Sequence, residues 1–241
     1  MNISVFPSPL ETARGLILHI IKQLKSNPRK KYHIAFSGGN TPSLMFELWA
    51  NEYKNCTPWE QVCIYWVDER CVPADSPESN YGIMRSLLLN HVPVLTTQVF
   101  PIQGQNNPEA EAIRYSELVT KNLPDLNNLP IFDLVLLGAG NDGHTSSIFP
   151  GQESLLTDSH IYKPSIQPSS GQKRIALTGQ PIIHANQTIF LITGKDKAEV
   201  VAQIYKTSQA GPAAYIAHHA KNTILFLDTM AKEKIKEPEI F

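Results

Sequence analysis

The residue types best suited to proton transfer in this chain are an aspartate and a histidine separated by one glycine. Asp142, Gly143 and His144 lie in the segment GAGNDGHTSSI at 138–148, directly after an apolar run at 132–137. Glycine adopts backbone angles that other residues avoid, so the two side chains beside it can be aimed at one point. A histidine next to a carboxylate is equipped for proton transfer near neutral pH. The triplet is therefore a candidate active site.

The surroundings of this triplet decide between two kinds of site. A short apolar run that ends in glycine is typical of a buried strand in a parallel sheet, and ligands bind beyond the carboxyl ends of such strands. Gly138, Gly140 and Gly143 also form a G-x-G-x-x-G pattern, which could indicate a dinucleotide site. That fingerprint needs a following crossover helix, whereas Pro150 soon interrupts the chain and a polar stretch at 152–173 follows. The sequence therefore disfavours a dinucleotide site.

A second glycine-containing segment, FSGGNTP at 36–42, follows another predicted strand. We expect a tight loop at Gly38 and Gly39, then a helix with Thr41 as its N-cap and Pro42 in its first turn. Glycines allow close approach of an anion, and the free N–H groups at a helix start donate to it. The loop therefore predicts an anion site, although an ordinary strand-to-helix turn would have the same residue types.

Charged residues lie at the ends of other predicted strands. Asp68, Glu69 and Arg70 follow an apolar run and precede another apolar pair, so we expect all three to project from the rim of the sheet. They could equally be solvated. Arg174 begins a further strand, and Lys197 lies in a strand-to-helix turn. One cation alone is more often a surface residue, but two beside a glycine loop would form a phosphate pocket through charge-assisted hydrogen bonds.

Strand and helix patterns alternate along the chain with short connections, which predicts an α/β fold with a mostly parallel sheet covered on both faces. We expect one domain over residues 1–241, with one long irregular segment at Gln152–Gln172. The predicted strands are Ile3–Phe6, His33–Phe36, Val62–Val67, Val99–Pro101, Phe132–Leu137, Arg174–Thr178, Thr188–Thr193 and Thr223–Leu227, and the predicted helices are Leu10–Leu24, Pro42–Trp49, Tyr81–Leu89, Pro108–Asn122 and Lys195–Tyr205.

The composition excludes several classes of protein. Of 241 residues, 42% are hydrophobic and 18% are charged, as in an ordinary soluble globule. A formal net charge of −1 provides no basic excess for binding nucleic acid or a membrane surface. We recognise neither a membrane-spanning run nor a signal peptide. The three cysteines, Cys56, Cys63 and Cys71, have no CxxC spacing, so we expect reduced thiols in a cytoplasmic protein rather than disulfides or a zinc site.

Five motifs in order carry a family resemblance: SGG-x-TP at 37–42, VDER-x-VP at 67–73 with a downstream SN, LLG-x-G-x-DGHT-x-S-x-FPG at 136–151, R-x-x-LTG-x-P at 174–181, and TG-x-DKAEV at 193–200. Together they resemble the glucosamine-6-phosphate isomerase and 6-phosphogluconolactonase family, and within it the lactonase subfamily. The resemblance covers about Ser37 to Val201. It implies a single-domain, Rossmann-like three-layer α/β/α fold with a twisted, mostly parallel central sheet.

The resemblance also implies a role for each candidate residue. His144 matches the histidine assigned as general base, Asp142 the acid two residues before it, and Arg70 the arginine thought to face the reacting carbonyl. Asp68 matches the aspartate that abstracts a proton in the deaminases. The residues that match the 6-phosphate pocket are Ser37, Gly38, Gly39, Arg174 and Lys197. The sequence departs from the family where Ser146 replaces a frequent alanine and in the segment at 228–231, to which we assign no function.

The implied reaction is hydrolysis of 6-phospho-D-glucono-1,5-lactone to 6-phospho-D-gluconate, in the oxidative branch of the pentose phosphate pathway. The resemblance implies no metal and no organic cofactor. We expect a small-molecule sugar-phosphate substrate, with no nucleic acid, no membrane and no obligate protein partner. Ser146 and Ser147 lack a G-x-S-x-G elbow, so an acyl-enzyme is disfavoured and a water activated by His144 is expected to attack the carbonyl.

Two other functions compete with this one. Sugar-phosphate isomerases and deaminases of the same family carry a catalytic glutamate where this chain has Phe149, and an apolar ring cannot transfer a proton. A catalytically silent sugar-phosphate sensor could use the same fold. No DNA-binding segment is recognisable and His144 is present, which both disfavour the sensor. His144 could also be a hydrogen-bonded core residue with no chemical role, but its polar neighbours make that the weakest interpretation.

Overall fold

The computed structural model describes residues 1–28, 30–126 and 129–235. The strands in chain order are β1 (Asn2–Phe6), β2 (Tyr32–Phe36), β3 (Val62–Trp66), β4 (Asp68–Arg70), β5 (Asp125–Leu126), β6 (Leu129–Pro130), β7 (Leu134–Leu137), β8 (Tyr162–Ile166), β9 (Lys173–Leu177), β10 (Thr188–Ile192) and β11 (Thr223–Asp228). Six of them form a parallel central sheet in the order β1-β11-β10-β7-β2-β3. The predicted α/β class with a mostly parallel sheet is therefore confirmed.

The helices follow local sequence signals. The first helix begins after Ser8, whose hydroxyl accepts a hydrogen bond from the backbone N–H of Glu11, and Pro9 occupies its first position. Its buried residues recur every three or four positions and face the sheet. The helices are α1 (Pro9–Ser26), α2 (Asn40–Leu48), α3 (Asn80–Leu87), α4 (Pro108–Asn122), α5 (Gly179–His184), α6 (Ala198–Lys206), α7 (Pro212–His219) and α8 (Thr229–Lys232).

Shorter helical segments complete the connections. A π-helical segment at Trp49–Tyr53 continues α2. The 3₁₀ segments are Trp59–Gln61, Leu89–His91, Thr96–Gln98, Glu153–Leu156 and Lys195–Lys197. No helix within the described ranges combines the length and the apolar character that crossing a bilayer requires.

The order of the central strands creates a switch point. From β2 the chain steps to β3 at one edge, whereas from β7 it steps the other way, to β10 and then β11. Because parallel crossovers are right-handed, steps in opposite directions place their helices on opposite faces of the sheet. Consistent with this, α1 packs against α2, and α6 packs against α7. The strands on either side of the reversal, β2 and β7, are neighbours, and a crevice is expected beyond their carboxyl ends.

A second sheet corrects two expectations. It has three strands in the order β4-β9-β8, and both pairings are antiparallel. The segment Gln152–Gln172 is therefore not irregular throughout, since it contains β8 and a 3₁₀ turn. Proline within β8 conceals this strand in the sequence, yet Pro164 is tolerated because β8 lies at the edge of its sheet. The strand predicted to begin at Arg174 is β9, and it belongs to this small sheet rather than the parallel one.

The prediction of a strand at Val99–Pro101 was wrong. Only a single bridge joins Val99 to Ile64, and the Phe100 N–H donates to the Ile64 carbonyl at 2.9 Å. A 3₁₀ turn ends immediately before Val99, and Pro101 has no N–H to continue the ladder. Val99 and Phe100 pack against the core, but the backbone before and after them cannot form the hydrogen bonds of a strand.

Candidate active site

A cavity of about 370 Å³ opens at the switch point, where β2 and β7 end side by side. The loop after β2 and the loop after β7 both line it, as does the end of β4. Of the nine residues predicted for the site, only Asp142 does not line the cavity; it contacts the Nδ1 atom of His144, which does. The predicted residues that line the cavity are Ser37, Gly38, Gly39, Asp68, Arg70, His144, Arg174 and Lys197.

The aspartate and the histidine after β7 form a hydrogen-bonded pair. The Oδ1 atom of Asp142 lies 2.6 Å from Nδ1 of His144 and 3.2 Å from its backbone N–H. Partial burial opposes ionisation of Asp142, but the charge and the hydrogen bonds of His144 outweigh it and lower the pKa of the carboxyl. With Nδ1 bonded to a carboxylate, the neutral ring presents Nε2 as its proton acceptor. Asp142, and not Asp68, is the carboxylate that contacts the histidine ring.

Two glycines make room for this pair. A Cβ atom on Gly140 would lie 2.2 Å from His144 Nδ1 and 2.4 Å from Asp142 Oδ1, so any larger residue there would displace both groups. Gly143 has φ +82°, the left-handed conformation that was expected between the two side chains. Its carbonyl accepts from the Ala213 N–H at 2.9 Å, which ties the turn to the start of α7.

The next turn is strained and is held by hydroxyl groups. Ser146 and Ser147 have φ +51° and +53°, a region that non-glycine residues seldom occupy. The Ser146 hydroxyl lies 3.0 Å from the carbonyl oxygens of both Val67 and Leu177, so it joins the end of the parallel sheet to the small sheet. The Ser147 hydroxyl donates to the Asp68 carboxylate. Conformational strain of this kind is typical of functional sites.

The glycine loop after β2 has the features of an anion site. Gly39, at φ +106°, is the N-cap of α2, and no side chain caps this helix. The prediction that Thr41 is the N-cap was therefore wrong, because the helix already begins at Asn40; Pro42 does lie in its first turn. The uncapped N–H groups at the start of α2 remain to bind an anion. Thr41 lines the cavity and its hydroxyl lies 3.3 Å from that of Thr193.

Three cationic side chains line the same cavity. Arg70 on β4 and Arg174 on β9 are directly paired in the antiparallel register. Burial, and then the charge of Arg70, lower the pKa of Arg174, whose guanidinium donates to Gln167 at 3.2 Å. Lys197 approaches from the start of α6, and its Nζ atom donates to the Ala139 carbonyl at 3.1 Å. Among described atoms, the Nε groups of both arginines have no hydrogen-bond partner.

The aspartate, glutamate and arginine after β3 do not share one environment. They were expected to project together from the rim, but they form β4, and side chains alternate along a strand. Asp68 and Arg70 line the cavity, whereas Glu69 is buried at 1% exposure and accepts hydrogen bonds from the start of α3. The expectation was therefore wrong for Glu69.

Asn80 lines the cavity and was not predicted as a site residue. Its side chain is 2% exposed and donates to Asp68. The signal was present in the sequence as a serine and asparagine pair at a helix start, where Ser79 is the N-cap of α3. Within the described ranges, no cluster of three or more His, Cys, Asp or Glu side chains could hold a metal ion.

Comparisons with known proteins identify the family to which the chain is similar. Residues 7–225 match the family described as glucosamine-6-phosphate isomerases/6-phosphogluconolactonase. A 6-phosphogluconolactonase of Haemophilus influenzae is 36% identical over 235 residues, which cover 96% of this chain and 98% of that protein. One from Treponema pallidum is 33% identical over 212 residues, covering 87% of this chain and 86% of the relative.

Solved structures share the fold. A 6-phosphogluconolactonase from Trypanosoma brucei superposes with a TM-score of 0.85 at 28% identity, covering 98% of each chain. A monomeric glucosamine-6-phosphate deaminase superposes with a TM-score of 0.80 at 23% identity, covering 98% of this chain and 100% of that one. The second likeness concerns the fold alone, so the two activities must be distinguished by the residues in the cavity.

Proposed function

The chain belongs to the glucosamine-6-phosphate isomerase and 6-phosphogluconolactonase family, and we infer that its activity within that family is that of a 6-phosphogluconolactonase. It hydrolyses 6-phospho-D-glucono-1,5-lactone to 6-phospho-D-gluconate, in the oxidative branch of the pentose phosphate pathway. The similarity to named lactonases over nearly the whole chain supports this activity. The observation that carries it is that His144, paired with Asp142, lines one cavity with a glycine loop and three cations.

We propose that His144 is the general base. A δ-lactone is an activated ester, so the barrier lies in the addition of water to its carbonyl carbon. The Nε2 atom of the neutral imidazole takes a proton from that water as the oxygen attacks. Asp142 holds the ring through Nδ1 and stabilises the imidazolium that forms, and the lowered pKa of its carboxyl keeps this partner ionised. The proton then passes to the ring oxygen that leaves the carbonyl carbon.

Fixed positive charge serves both the carbonyl group and the phosphate of the substrate in this proposal. Arg70 stabilises the negative charge that develops on the carbonyl oxygen during attack. Arg174, Lys197 and the glycine loop bind the 6-phosphate, through charge-assisted bonds and through the free N–H groups at the start of α2. Binding energy from the remote phosphate holds the ring in register with the base, which lowers the entropy cost of reaction.

The residue beside the histidine favours the lactonase over the deaminase. Phe149, at the position of the deaminase glutamate, is 2% exposed, and its ring centroid lies 4.6 Å from that of His144. Deamination of an amino sugar phosphate needs several acid and base groups, for ring opening and for removal of a proton from carbon. Lactone hydrolysis needs one base and a stabilised oxyanion. The cavity supplies the groups that lactone hydrolysis needs, and it lacks the glutamate that deamination would need.

The proposed activity is tested with lactone made freshly by oxidation of glucose 6-phosphate, with spontaneous hydrolysis subtracted. We expect clear enzymatic hydrolysis, a preference for phosphorylated over plain gluconolactone, and no ammonia release from glucosamine 6-phosphate. Ammonia release at a comparable rate would assign the chain to the deaminases. Binding of the phosphorylated lactone without any hydrolysis would support a silent sensor instead.

We further propose a cytoplasmic protein that forms one domain over residues 1–241 and acts on a small-molecule sugar phosphate without a nucleic acid, membrane or obligate protein partner. The near neutrality of the chain supports the absence of a nucleic-acid or membrane partner, since a net charge of −1 provides no general attraction for polyanions.

A further inference from the structure

The buried carboxylate of Glu69 is a feature that the proposed reaction does not use. Its side chain lies on the opposite side of β4 from Asp68 and Arg70. Within the described ranges no cation lies at ion-pair distance from Glu69, and burial raises the pKa of its carboxyl against the effect of its hydrogen bonds. Burial of an unpaired carboxylate is unfavourable unless several donors satisfy it.

Four hydrogen bonds satisfy this carboxylate. Oε1 accepts from the backbone N–H groups of Arg70 at 2.7 Å and Asn80 at 2.8 Å. Oε2 accepts from the Tyr81 N–H at 2.8 Å and the Ser79 hydroxyl at 3.0 Å. One of these donors belongs to β4 and the others to the start of α3, so Glu69 fixes the start of the helix to the strand that carries Asp68 and Arg70.

The helix start brings Asn80 between two parts of the cavity wall. Its Nδ2 atom donates to the Asp68 carbonyl at 2.9 Å and lies 3.3 Å from Asp68 Oδ1. On its other side the amide meets the glycine loop, because a Cβ atom on Gly38 would lie 1.9 Å from Asn80 Oδ1. Asn80 therefore spaces the loop proposed to bind phosphate from the strand proposed to act at the carbonyl.

We propose that Glu69 and Asn80 are a pair of positioning residues for lactone hydrolysis, which set the distance between the Gly38 loop and the Asp68 and Arg70 side chains. This inference rests on the proposed function. The phosphate and the carbonyl carbon are separate groups of one substrate, joined through the ring oxygen, C5 and C6, so the two halves of the cavity must keep a fixed spacing. Asn80 supplies that spacing, and Glu69 holds Asn80 in place without touching the substrate.

The carboxylate at position 69 links the start of α3 to β4, which an apolar side chain could not do. An apolar side chain of similar size at position 69 would fill the same buried space without the desolvation of a charge. It would leave the first N–H groups of α3 without an acceptor, however, and the helix start would no longer be fixed relative to β4. The cost of the carboxylate is therefore explained by geometry at the cavity, which activity measurements can detect.

The test compares two site variants with two matched controls. Glu69→Gln keeps the shape but replaces an acceptor oxygen with a donor, and Asn80→Ala removes the spacer. Glu111→Gln alters another carboxylate that is 1% exposed and accepts from the Gln103 N–H at 2.7 Å, but it lies on α4 outside the cavity. Asn107→Ala removes a helix-start asparagine whose Oδ1 accepts from the Ala110 N–H at 3.0 Å.

All variants are assayed for lactone hydrolysis well below their own Tm, with rates corrected for the folded fraction by circular dichroism. We expect kcat to fall about tenfold or more in both site variants, because misplacement on the ångström scale has effects of that size. KM should rise by a smaller factor than kcat falls, since Lys197 and Arg174 are held by other residues. Both controls should keep the parent kcat.

Each outcome has a definite meaning. A site variant with kcat within about twofold of the parent, or controls that lose as much as the site variants, would overturn the positioning role. If Glu69→Gln does not fold, Asn80→Ala decides the question by the same criterion. A parent protein without lactonase activity refutes the proposed function itself, whereas an active parent with unaffected site variants refutes only the positioning.

Discussion

Replacement of His144 tests the proposed base with a control that the chain itself provides. Asp158 and His160 repeat the same local arrangement, with Oδ1 to Nδ1 at 2.7 Å against 2.6 Å in the site, but His160 does not line the active-site cavity. Two histidines with nearly equal geometry and different locations should therefore differ in catalysis alone. Comparing His144→Ala with His160→Ala shows whether loss of activity depends on the histidine's position in the cavity.

The expected size of the effect follows from the role of a general base. Loss of such a base lowers kcat by about 10²- to 10⁴-fold, which corresponds to about 2.7–5.4 kcal/mol in activation free energy. KM should change little, because the residues proposed to bind the phosphate lie elsewhere in the cavity. The side chains of His144 and His160 are 33% and 63% exposed, so each substitution should change the free energy of unfolding by less than about 1 kcal/mol.

The assay measures initial rates of lactone hydrolysis, with the spontaneous reaction subtracted, and urea unfolding of each variant. We expect His160→Ala to keep the parent kcat and His144→Ala to lose at least about a hundredfold. Near-normal turnover in His144→Ala would refute the assignment of the base. Equal losses in the two variants would also refute it, because the effect would then not depend on the cavity.

Three further predictions concern charge. Arg174→Ala and Lys197→Ala should each weaken substrate affinity by about 1.5–3 kcal/mol and reduce the preference for phosphorylated over plain gluconolactone. If that preference is unchanged in both variants, the phosphate binds elsewhere. Hydrolysis should survive a chelator, since His144 and the cations perform the proposed steps, and loss of activity in chelator followed by recovery with a metal would contradict this. Burial opposes ionisation of Asp142, but His144 lowers the pKa of this carboxyl, so the pair stabilises the fold above about pH 4 and loses that effect as the pH falls. Asp142→Asn should therefore flatten the dependence of unfolding free energy on pH below about pH 4, by a small amount because the side chain is half exposed, and an unchanged slope would contradict the pairing.

Local motifs in the sequence predicted which residues come together at the cavity. His144, Gly38 and Lys197 each follow a parallel strand, and the carboxyl ends of parallel strands meet at one edge of the sheet. Local motifs were therefore sufficient to predict that these three residues share a cavity. The positions of these residues depend on strand ends, which glycines mark clearly. Their roles in catalysis stay predictions until the variants are measured.

The features that the sequence did not reveal depend on contacts between distant residues. The small sheet pairs Arg70 with Arg174, 104 positions apart, and nothing local signals that register. Pro164 conceals β8, and the apolar residues at 99–101 resemble a strand although their backbone is unable to pair. Alternation along β4 could have separated Glu69 from Asp68, but only once that segment was recognised as a strand.

Because the two sheets meet at the cavity, it is lined both by a lysine from a loop and by two arginines from strands. The parallel sheet ends in loops, which offer backbone N–H groups and the flexible Lys197. The antiparallel sheet offers side chains on strands, and its register pairs Arg70 directly with Arg174, whose pKa is lowered by burial and then by the charge of Arg70. Like charges in this register repel each other, and the phosphate proposed to bind there would offset the repulsion with its negative charge. The Ser146 hydroxyl, 3.0 Å from a carbonyl oxygen at the end of each sheet, lies at this junction.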